Sequence, residues 1–383
     1  MAGFDSIWLD AVHTLERGDP FALATVVNVR GSTPREVGAK MIVHKNGQSG
    51  TIGGGCGEAE VFRKAQVLLQ EEGGARMAEV DLTGDFDQRE IGTCGGIMDV
   101  FISRWTPARD LDLARRLAGA AERGVAGALI SVVDPGAAGE APAGAHAFVA
   151  AGAAFESATA PGIPALVLDR IRGQILDGVP CLLGLDGEGI PRPVGRIGPN
   201  GAARIFVDPV IGVERLIVVG AGHIAVPLCD IGAATGFRVT VIDDRASFAN
   251  RERFPKAAEI IVAPFVSAIE SLALDSRCRL VSVTRGHSFD EEVVRAALMS
   301  PCGFVGMIGS RRRVAATIER LAALGVPPMR LEALHAPLGL AIGAQTPEEI
   351  AVSIVAELIR ERRTGERDEM TLGVRLGKLS RQP

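Results

Sequence analysis

Residues 215–245 restrict the possible fold of this chain more than any other stretch, because a glycine turn there joins an apolar run to a helix-like segment. Residues 216–219 are apolar and largely β-branched, as expected of a strand buried on both faces of a parallel sheet. Gly220 and Gly222 then form a tight turn, and residues 224–231 carry the small and apolar side chains of a packed helix. The stretch therefore predicts a strand, a tight turn and a helix.

A second apolar run that ends in an acid completes the pattern. We expect Gly232 and Gly236 to stop the helix, and residues 237–242 to form a second buried strand that leads to Asp243. Asp243 follows Gly220 by 23 positions, close to the ~20 expected where a carboxylate accepts a hydrogen bond from a ribose hydroxyl. The combination predicts a Rossmann-like unit and an α/β fold.

The rest of the second half continues to alternate strands and helices, which favours a mostly parallel sheet. Its strand candidates are residues 259–262, 280–284 and 304–308. Its helix candidates are residues 267–274, 290–298 and 310–324, followed by a helix from the capping box at 346–349 to Arg360. We expect residues 335–340 to form a loop that closes over a pocket.

Ligands of open parallel sheets bind beyond the carboxyl ends of the strands, so the residues there are the binding candidates. They are Gly220, Gly222, His223, Asp243, Arg245, Thr284, His287, Gly309, Ser310 and Arg311. The last three combine amides, a hydroxyl and a guanidinium group at a helix start, which suits phosphate; a capped helix with solvated arginines is the alternative. His223 and His287 stand at helix starts, where a histidine contacts a ligand or only packs.

The length of the chain predicts two domains, because 383 residues exceed one ordinary core. We place an N-terminal α/β domain at residues 1–210, the Rossmann-like domain at 211–365 and a polar tail at 366–383.

The composition of the chain excludes several classes of partner and site. The net charge of −5, without any Lys/Arg block, argues against nucleic acid. No apolar run approaches the ~20 residues of a membrane span, and no secretory signal begins the chain, so we expect a cytoplasmic protein. Six cysteines without a CxxC pair argue against a disulfide framework or a structural zinc site.

The first half carries a hairpin that leads to a thiol. Asn46 and Gly47, between strand-like residues 39–45 and 48–52, are a strong hairpin signal. A glycine run that includes Gly54 and Gly55 follows, and we expect Cys56 at or just before the N-terminus of a helix that starts at Glu58.

Free amides and partial positive charge at a helix start attract anions and activate a thiol such as that of Cys56. Glu58 and Glu60 oppose this effect, and a tight turn that buries a small cysteine is the alternative. A second thiol, Cys94, lies among the glycines of residues 92–96. Spacing alone leaves open whether Cys56 and Cys94 meet.

The remaining elements of this half are less marked. We expect a helix that ends before Gly18, strands at 21–29, 97–102, 128–133, 147–150, 180–185 and 204–207, and helices at 108–123 and 164–173.

These blocks together resemble the XdhC/CoxI family, the accessory proteins that help mature xanthine dehydrogenase and related molybdenum hydroxylases. In the first half the resemblance is carried by GSTPREVGAKM (31–41), TIGGGCGE (51–58) and GTCGG (92–96). In the second it is carried by VVGAGHIA, VTVIDDR, ERFP, TRGHSFDEEVV, GMIGSRRR and HAPLGLAIGAQTPEEIAVSIVAELI.

The resemblance implies a chaperone for the molybdenum cofactor (molybdopterin). Such a protein protects the cofactor while a cysteine desulfurase supplies its terminal sulfur, and then passes it to the apo-enzyme. The residues are compatible with this role, because helix N-termini and the arginine loop suit the phosphate and a soft thiolate, Cys56 or Cys94, suits the metal.

Two other classes of function stay open. One is an NAD(P)-dependent oxidoreductase that uses Asp243 for the nucleotide and His223 or His287 as acid and base. The other is a nucleotide-sensing module that regulates a partner, since a dinucleotide fold does not prove a dinucleotide function. The Rossmann site could equally hold the pterin, and the oligomeric state, for which a homodimer is one option, is not fixed by the sequence.

Overall fold

The computed structural model divides the chain into two compact units, Met1–Gly212 and Val213–Pro383. It describes residues 4–45, 47–71, 74–82, 95–123, 125–136, 141–150, 171, 178–185, 191–193, 203–210, 212–284 and 287–365. Cys94, the tail at 366–383 and nearly all of the helix expected at 164–173 therefore lie outside the described residues.

The first unit opens with a five-stranded antiparallel sheet and two helices. The strands lie in the order β3-β2-β1-β5-β4, with the bounds β1 Phe21–Arg30, β2 Lys40–His44, β3 Gly47–Gly50, β4 Ala75–Asp81 and β5 Ile97–Trp105. The helices are α1, Phe4–Glu16, and α2, Gly55–Gln70. The predicted hairpin is present as β2 and β3, and α2 buries Val61, Ala65 and Leu68 in a core formed with residues of this sheet.

A second antiparallel sheet completes this unit. Its order is β7-β6-β10-β8-β9, with the bounds β6 Gly127–Asp134, β7 His146–Ala150, β8 Cys181–Leu185, β9 Pro191–Pro193 and β10 Arg204–Val210. Helix α3, Pro107–Arg123, precedes it. Helices α1 and α3 share one hydrophobic core, in which Trp8 and Trp105 are almost fully buried.

A buried ion pair joins the two sheets of the first unit. Lys40, in β2, places Nζ 2.7 Å from Oδ2 of Asp208, in β10, and both side chains are only 3% exposed. Lys40 Nζ also donates to the carbonyl of Gly38 at 2.8 Å. Burial raises the pKa of Asp208, and the neighbouring lysine offsets only part of that rise. Both charges are thus removed from water, and each is stabilised by the opposite charge of the other.

The second unit is built on a six-stranded sheet whose strands all run parallel. The bounds are β11 Arg215–Val219, β12 Arg238–Asp243, β13 Glu259–Val262, β14 Cys278–Ser282, β15 Phe304–Met307 and β16 Leu334–His335. The order β13-β12-β11-β14-β15-β16 is the doubly wound Rossmann order 3-2-1-4-5-6. The α/β fold class and the Rossmann-like sheet are therefore confirmed.

Apart from the short helix Pro328–Glu332, which was not predicted, the helices of this unit lie close to their predicted positions. They are α4 Ala225–Ala234, α5 Phe265–Ser271, α6 His287–Leu298, α7 Arg311–Ala323, α8 Pro328–Glu332 and α9 Pro347–Thr364. Thr346 and Glu349 form the predicted capping box of α9.

The expectation that Gly232 stops the first helix of this unit was wrong. Helix α4 continues through Gly232 to Ala234, and the turn comes at Gly236, where φ is +90°. A Cβ atom at position 232 would lie 2.8 Å from Cδ2 of Leu216. Glycine is required there because helix and strand approach closely, not because the helix ends.

The expected closing loop at 335–340 is held in place instead. His335 Nδ1 and Glu357 Oε1 are 2.8 Å apart with both side chains 2% exposed, and the amide of Gly339 donates to Glu357 Oε2 at 2.6 Å. The amide of Leu338 donates to Met307 O and that of Leu340 to Ser353 O. The segment packs onto β15 and α9, so the prediction of a closing loop was wrong.

Across the part of the chain that the structure describes, none of the helices combines the length and apolar character needed to cross a lipid bilayer.

Candidate functional site

The sheet of the second unit forms a cleft at the point where its strand order reverses, beside the carboxyl ends of β11 and β14. This switch-point cleft is partly open to solvent and has a cavity volume of about 130 Å³. Its lining residues are Gly220, Gly222, Asp243, Asp244, Arg245, Phe265, Val283, Thr284 and Phe289. Five of the predicted residues, Gly220, Gly222, Asp243, Arg245 and Thr284, are thus brought together.

The glycine turn leaves room for a ligand beside the start of α4. Gly220 has φ of +100°, and a Cβ there would lie 2.9 Å from the Cα of Thr284. A Cβ at Gly222 would meet no heavy atom within 4 Å. Ile224, the N-cap of α4, makes no side-chain capping bond. The helix start is therefore not covered by a capping side chain, as phosphate binding would need.

Asp243 does not have the geometry that its spacing predicted. Its Oδ1 accepts from the amide and Nε of Arg245, at 3.1 and 2.8 Å, and its Oδ2 accepts from the Ala221 amide at 2.7 Å and from Arg245 Nη2 at 2.9 Å. A carboxylate offers about four lone-pair sites. All of them are used by the protein, and the side chain is only 1% exposed.

The pKa of Asp243 agrees with a structural ion pair between Asp243 and Arg245. Burial by itself raises the pKa of Asp243, but the hydrogen bonds from Arg245 and from the Ala221 amide outweigh burial, so the pKa lies below its ordinary value. The guanidinium group of Arg245 also stacks on Phe248, 3.7 Å from the ring centroid. Asp243 and Arg245 thus fix the turn, and the exposed acid beside the cleft is Asp244, with 43% of its side chain accessible.

Of the remaining predicted residues of this unit, His223, Gly309, Ser310 and Arg311 lie outside the lining of the cleft. His223 is exposed just before α4. Ser310 caps α7 by accepting from the Arg313 amide at 3.3 Å, and Arg311 is exposed. His287 begins α6, but its side chain is not among the described ones.

Arg313, from the same arginine run, binds a buried carboxylate of the protein. Asp290 is fully buried and accepts hydrogen bonds from Ser282, Thr284 and Arg313. This arginine therefore orients the wall of the cleft through Thr284, a role that the sequence did not indicate.

In the first unit, Cys56 lies in the first turn of α2, which begins at Gly55 and not at Glu58 as expected. Among the described cysteines Cys56 is exposed, whereas Cys229 and Cys302 are buried. Burial raises the pKa of each of those two thiols to about 11. The alternative of a buried structural cysteine at position 56 is therefore wrong.

Glu58 organises the loop that presents Cys56. Its Oε2 accepts from Thr51 Oγ1 at 2.6 Å and from the amides of Ile52 and Gly54 at 3.0 Å, and its Oε1 accepts from Gln48 Nε2 at 2.7 Å. Partial burial raises the pKa of Glu58, but these bonds outweigh that effect and the pKa falls below its ordinary value. Besides carrying a negative charge in the first turn of α2, as expected, Glu58 also ties down the glycine loop.

Three glycine-containing segments meet around this loop, and we call them the glycine-loop cluster: residues 31–35, 51–57 and 95–96. A Cβ at Gly53 would lie 2.5 Å from Pro34 Cγ, and one at Gly31 would lie 2.9 Å from the carbonyl oxygen of Gly95. A Cβ at Gly96 would lie 2.3 Å from the carbonyl oxygen of Ser32. The segments are packed so closely that only glycine fits at these contacts.

The cluster brings together motifs that the sequence offered separately. Gly54 and Gly55, with φ of +75° and +69°, face open space beside Cys56. Gly95 and Gly96 directly follow Cys94, which is outside the described residues. The sequence signal that could have indicated this packing is the repeated occurrence of glycine in all three segments. Gly31, Gly53 and Gly96 each allow a neighbouring loop to approach closely.

The chain is a two-unit α/β protein. One unit is a Rossmann-type sheet, and the other is antiparallel and exposes a thiol among packed glycine loops. Residues 14–81 match the model of the XdhC and CoxI family, and residues 216–358 match that of the XdhC Rossmann domain. The chain belongs to the XdhC and CoxI family, which confirms the resemblance found in the sequence.

Named relatives share nearly the whole chain. It is 28% identical over 360 residues to a probable xanthine dehydrogenase subunit of Bacillus subtilis (strain 168), covering 93% of this chain and 96% of that protein. It is 26% identical over 357 residues to the uncharacterized protein YqeB of Escherichia coli (strain K12), covering 93% of this chain but spanning only 46% of that relative's length.

A crystal structure of a xanthine dehydrogenase from Bacillus halodurans is also similar, with a TM-score of 0.72 at 26% identity. The match covers 95% of this chain and 98% of that one.

Proposed function

We propose that this protein is an accessory factor of a xanthine dehydrogenase-type molybdenum hydroxylase, which holds the molybdenum cofactor during maturation and hands it to the apo-enzyme. The observation that carries the proposal is the exposed thiol of Cys56 in the glycine-loop cluster. Family membership supports the class of client, since relatives carry the name xanthine dehydrogenase.

The chemistry of the cluster suits a phosphate-bearing molybdenum–dithiolene compound. A cysteine thiolate is a soft ligand of the kind that binds thiophilic metals. Gly54 and Gly55 lack side chains that would cover the helix start, so an anion can approach it. The amide of Gly54 itself is already bound to Glu58. Glu58 ties the loop to its own backbone, so contacts within the chain order it. Binding thus starts from an ordered site.

The rival activity, an NAD(P)-dependent oxidoreductase, receives less support from the geometry. Asp243 has no lone pair left for a ribose, and His223 lies outside the lining of the switch-point cleft. The proposed partners are accordingly the apo-hydroxylase and a cysteine desulfurase that supplies the terminal sulfur, and the proposed compartment is the cytoplasm.

Coexpression with a molybdenum hydroxylase tests this function. We expect the sulfurated, active fraction of the hydroxylase to rise severalfold, and the rise to be largely lost with Cys56→Ala, because that variant lacks the thiolate. The measurement is cyanide-released sulfur per molybdenum in the purified hydroxylase. A matched control is Cys181→Ala, since Cys181 is a partly exposed cysteine of the same unit outside the cluster. An unchanged sulfur content with the native protein would contradict the proposal.

A further inference from the structure

One buried cation of the first unit has no counterion among the described residues. In the part of the chain that the structure describes, the buried lysine and arginine side chains are Lys40, Arg204 and Arg279. Lys40 pairs with Asp208 at 2.7 Å, and Arg279 pairs with Glu214. Arg204 is 4% exposed and forms no ion pair with a described residue, and its Nη1 is buried without a hydrogen-bond acceptor. Because an ion removed from water without a partner destabilises a fold, this group calls for an external anion.

The packing of the two sheets of this unit places Arg204 at one end of the gap between them. Alternate residues of a strand face the same side of a sheet. Three associations step along β10 and β1: Val210 shares a core with Leu23, Asp208 pairs with Lys40 beside Thr25, and Phe206 shares a core with Val27. Each step moves two residues back along β10 and two forward along β1. The next residue on this face, Arg204, therefore lies level with residues 28–30, where β1 leads into Gly31 of the glycine-loop cluster.

The buried carboxylate at this level is already occupied. Asp99, which lies opposite Asn28 in the sheet, is 5% exposed. It accepts from Asn28 Nδ2 at 2.8 Å and from Arg30 Nη2 at 3.0 Å. Arg30 also binds Glu79, whose side chain is 62% exposed, and its Nε is buried without an acceptor. Arg204 and Arg30 therefore both have buried N–H donors without acceptors, next to a single buried carboxylate.

A phosphate group is the anion that suits two such donors. A guanidinium group binds phosphate or carboxylate through parallel hydrogen bonds. A phosphate monoester carries about −1.5 to −2 charge at neutral pH and three strong acceptor oxygens, so it can accept from Arg204 and Arg30 at once. The side chain of Arg30 is 30% exposed, which connects this level of the gap with solvent.

We propose that Arg204 and Arg30 bind the phosphate group of the ligand whose metal is held by Cys56. This deepens the proposed function and rests on it for the identity of the ligand, but not for the existence of the phosphate site. The ligand extends from the gap between the sheets into the glycine-loop cluster, which begins at Gly31, directly after Arg30. The charge of Arg204 destabilises the free protein and is neutralised when the phosphate binds.

Urea unfolding of the full chain, followed by tryptophan fluorescence, tests the site with inorganic phosphate as the probe. Without phosphate, Arg204→Met should unfold at a urea concentration roughly 0.5 M above that of the native protein, because an unpaired buried charge is removed. About 20 mM phosphate, compared with chloride at equal ionic strength, should raise the native midpoint by at least ~0.3 M and leave that of Arg204→Met unchanged. Arg17→Met removes an arginine of the same unit whose side chain is 63% exposed, and should respond to phosphate like the native protein.

Retention of molybdenum cofactor released from a molybdenum enzyme gives a second readout. Arg204→Met should retain severalfold less cofactor than the native protein, although its Cys56 is intact. Equal midpoint shifts with phosphate in the native and Arg204→Met proteins, or equal cofactor retention by the two, would overturn the proposal. A phosphate response that is lost in Arg204→Met, together with no cofactor retention by the native protein, would remove the accessory function and leave the phosphate site.

Discussion

Replacing Lys40 with methionine should lower the free energy of unfolding of the first unit by about 3–5 kcal/mol. Lys40 and Asp208 are both 3% exposed and 2.7 Å apart, so the variant leaves a buried carboxylate without its cation. Burial already raises the pKa of Asp208 while the lysine is present. Since β2 and β10 belong to different sheets, the loss also loosens the joint between them.

Urea unfolding followed by tryptophan fluorescence measures this loss in the first unit alone, because the chain has two tryptophans and both, Trp8 and Trp105, lie there. Lys64→Met is the matched control. Lys64 pairs with Glu60 at 2.7 Å, but each side chain is 40% exposed, so less than about 1 kcal/mol should be lost. Equal unfolding midpoints for Lys40→Met and Lys64→Met would show that the buried pair does not hold the sheets.

The second large effect is expected from Gly96→Ala, which should destabilise the first unit by about 3 kcal/mol and abolish most cofactor retention. The added methyl would lie 2.3 Å from the carbonyl oxygen of Ser32 and 2.7 Å from that of Arg30. Both are backbone atoms, so the strand end or the loop at 31–35 must shift. The glycine-loop cluster is then no longer assembled.

Gly18→Ala is the control for this variant. Gly18 has φ of +86°, and a Cβ there meets no atom within 4 Å, so only backbone strain of about 1 kcal/mol is expected. Urea midpoints and cofactor retention are compared for both variants. If Gly96→Ala unfolds like Gly18→Ala and retains cofactor like the native protein, the close packing of the cluster has no functional importance.

The fold of the second unit could be predicted because its signals are local. Residues 215–245 contain two strands buried on both faces and a glycine turn, and burial on both faces leaves an unbroken apolar run in the sequence. Strand β4 was missed for the opposite reason. Only Ala78 and Val80 of its seven residues are buried. The charged residues among the others leave no clear alternation of apolar and polar side chains in the sequence.

The site was less predictable because its geometry depends on side chains from different segments. Spacing selected Asp243 correctly as a residue of the cleft, but only the fold shows that Arg245 and the Ala221 amide fill its lone pairs. Glu58 was predicted only as an acid at the helix start, and the fold shows that it also binds the loop. A sequence gives the position of a polar group, whereas its partners are set by tertiary structure.

The central claim is that the exposed thiol of the glycine-loop cluster holds the molybdenum cofactor. Its most direct test is to mix purified protein with cofactor released from a molybdenum enzyme, remove the unbound fraction by gel filtration, and measure the molybdenum and pterin that remain. The native protein should retain cofactor, and Cys56→Ala should retain roughly tenfold less, because a metal-binding thiolate is lost. Equal retention by the two proteins, or none by either, would contradict the account.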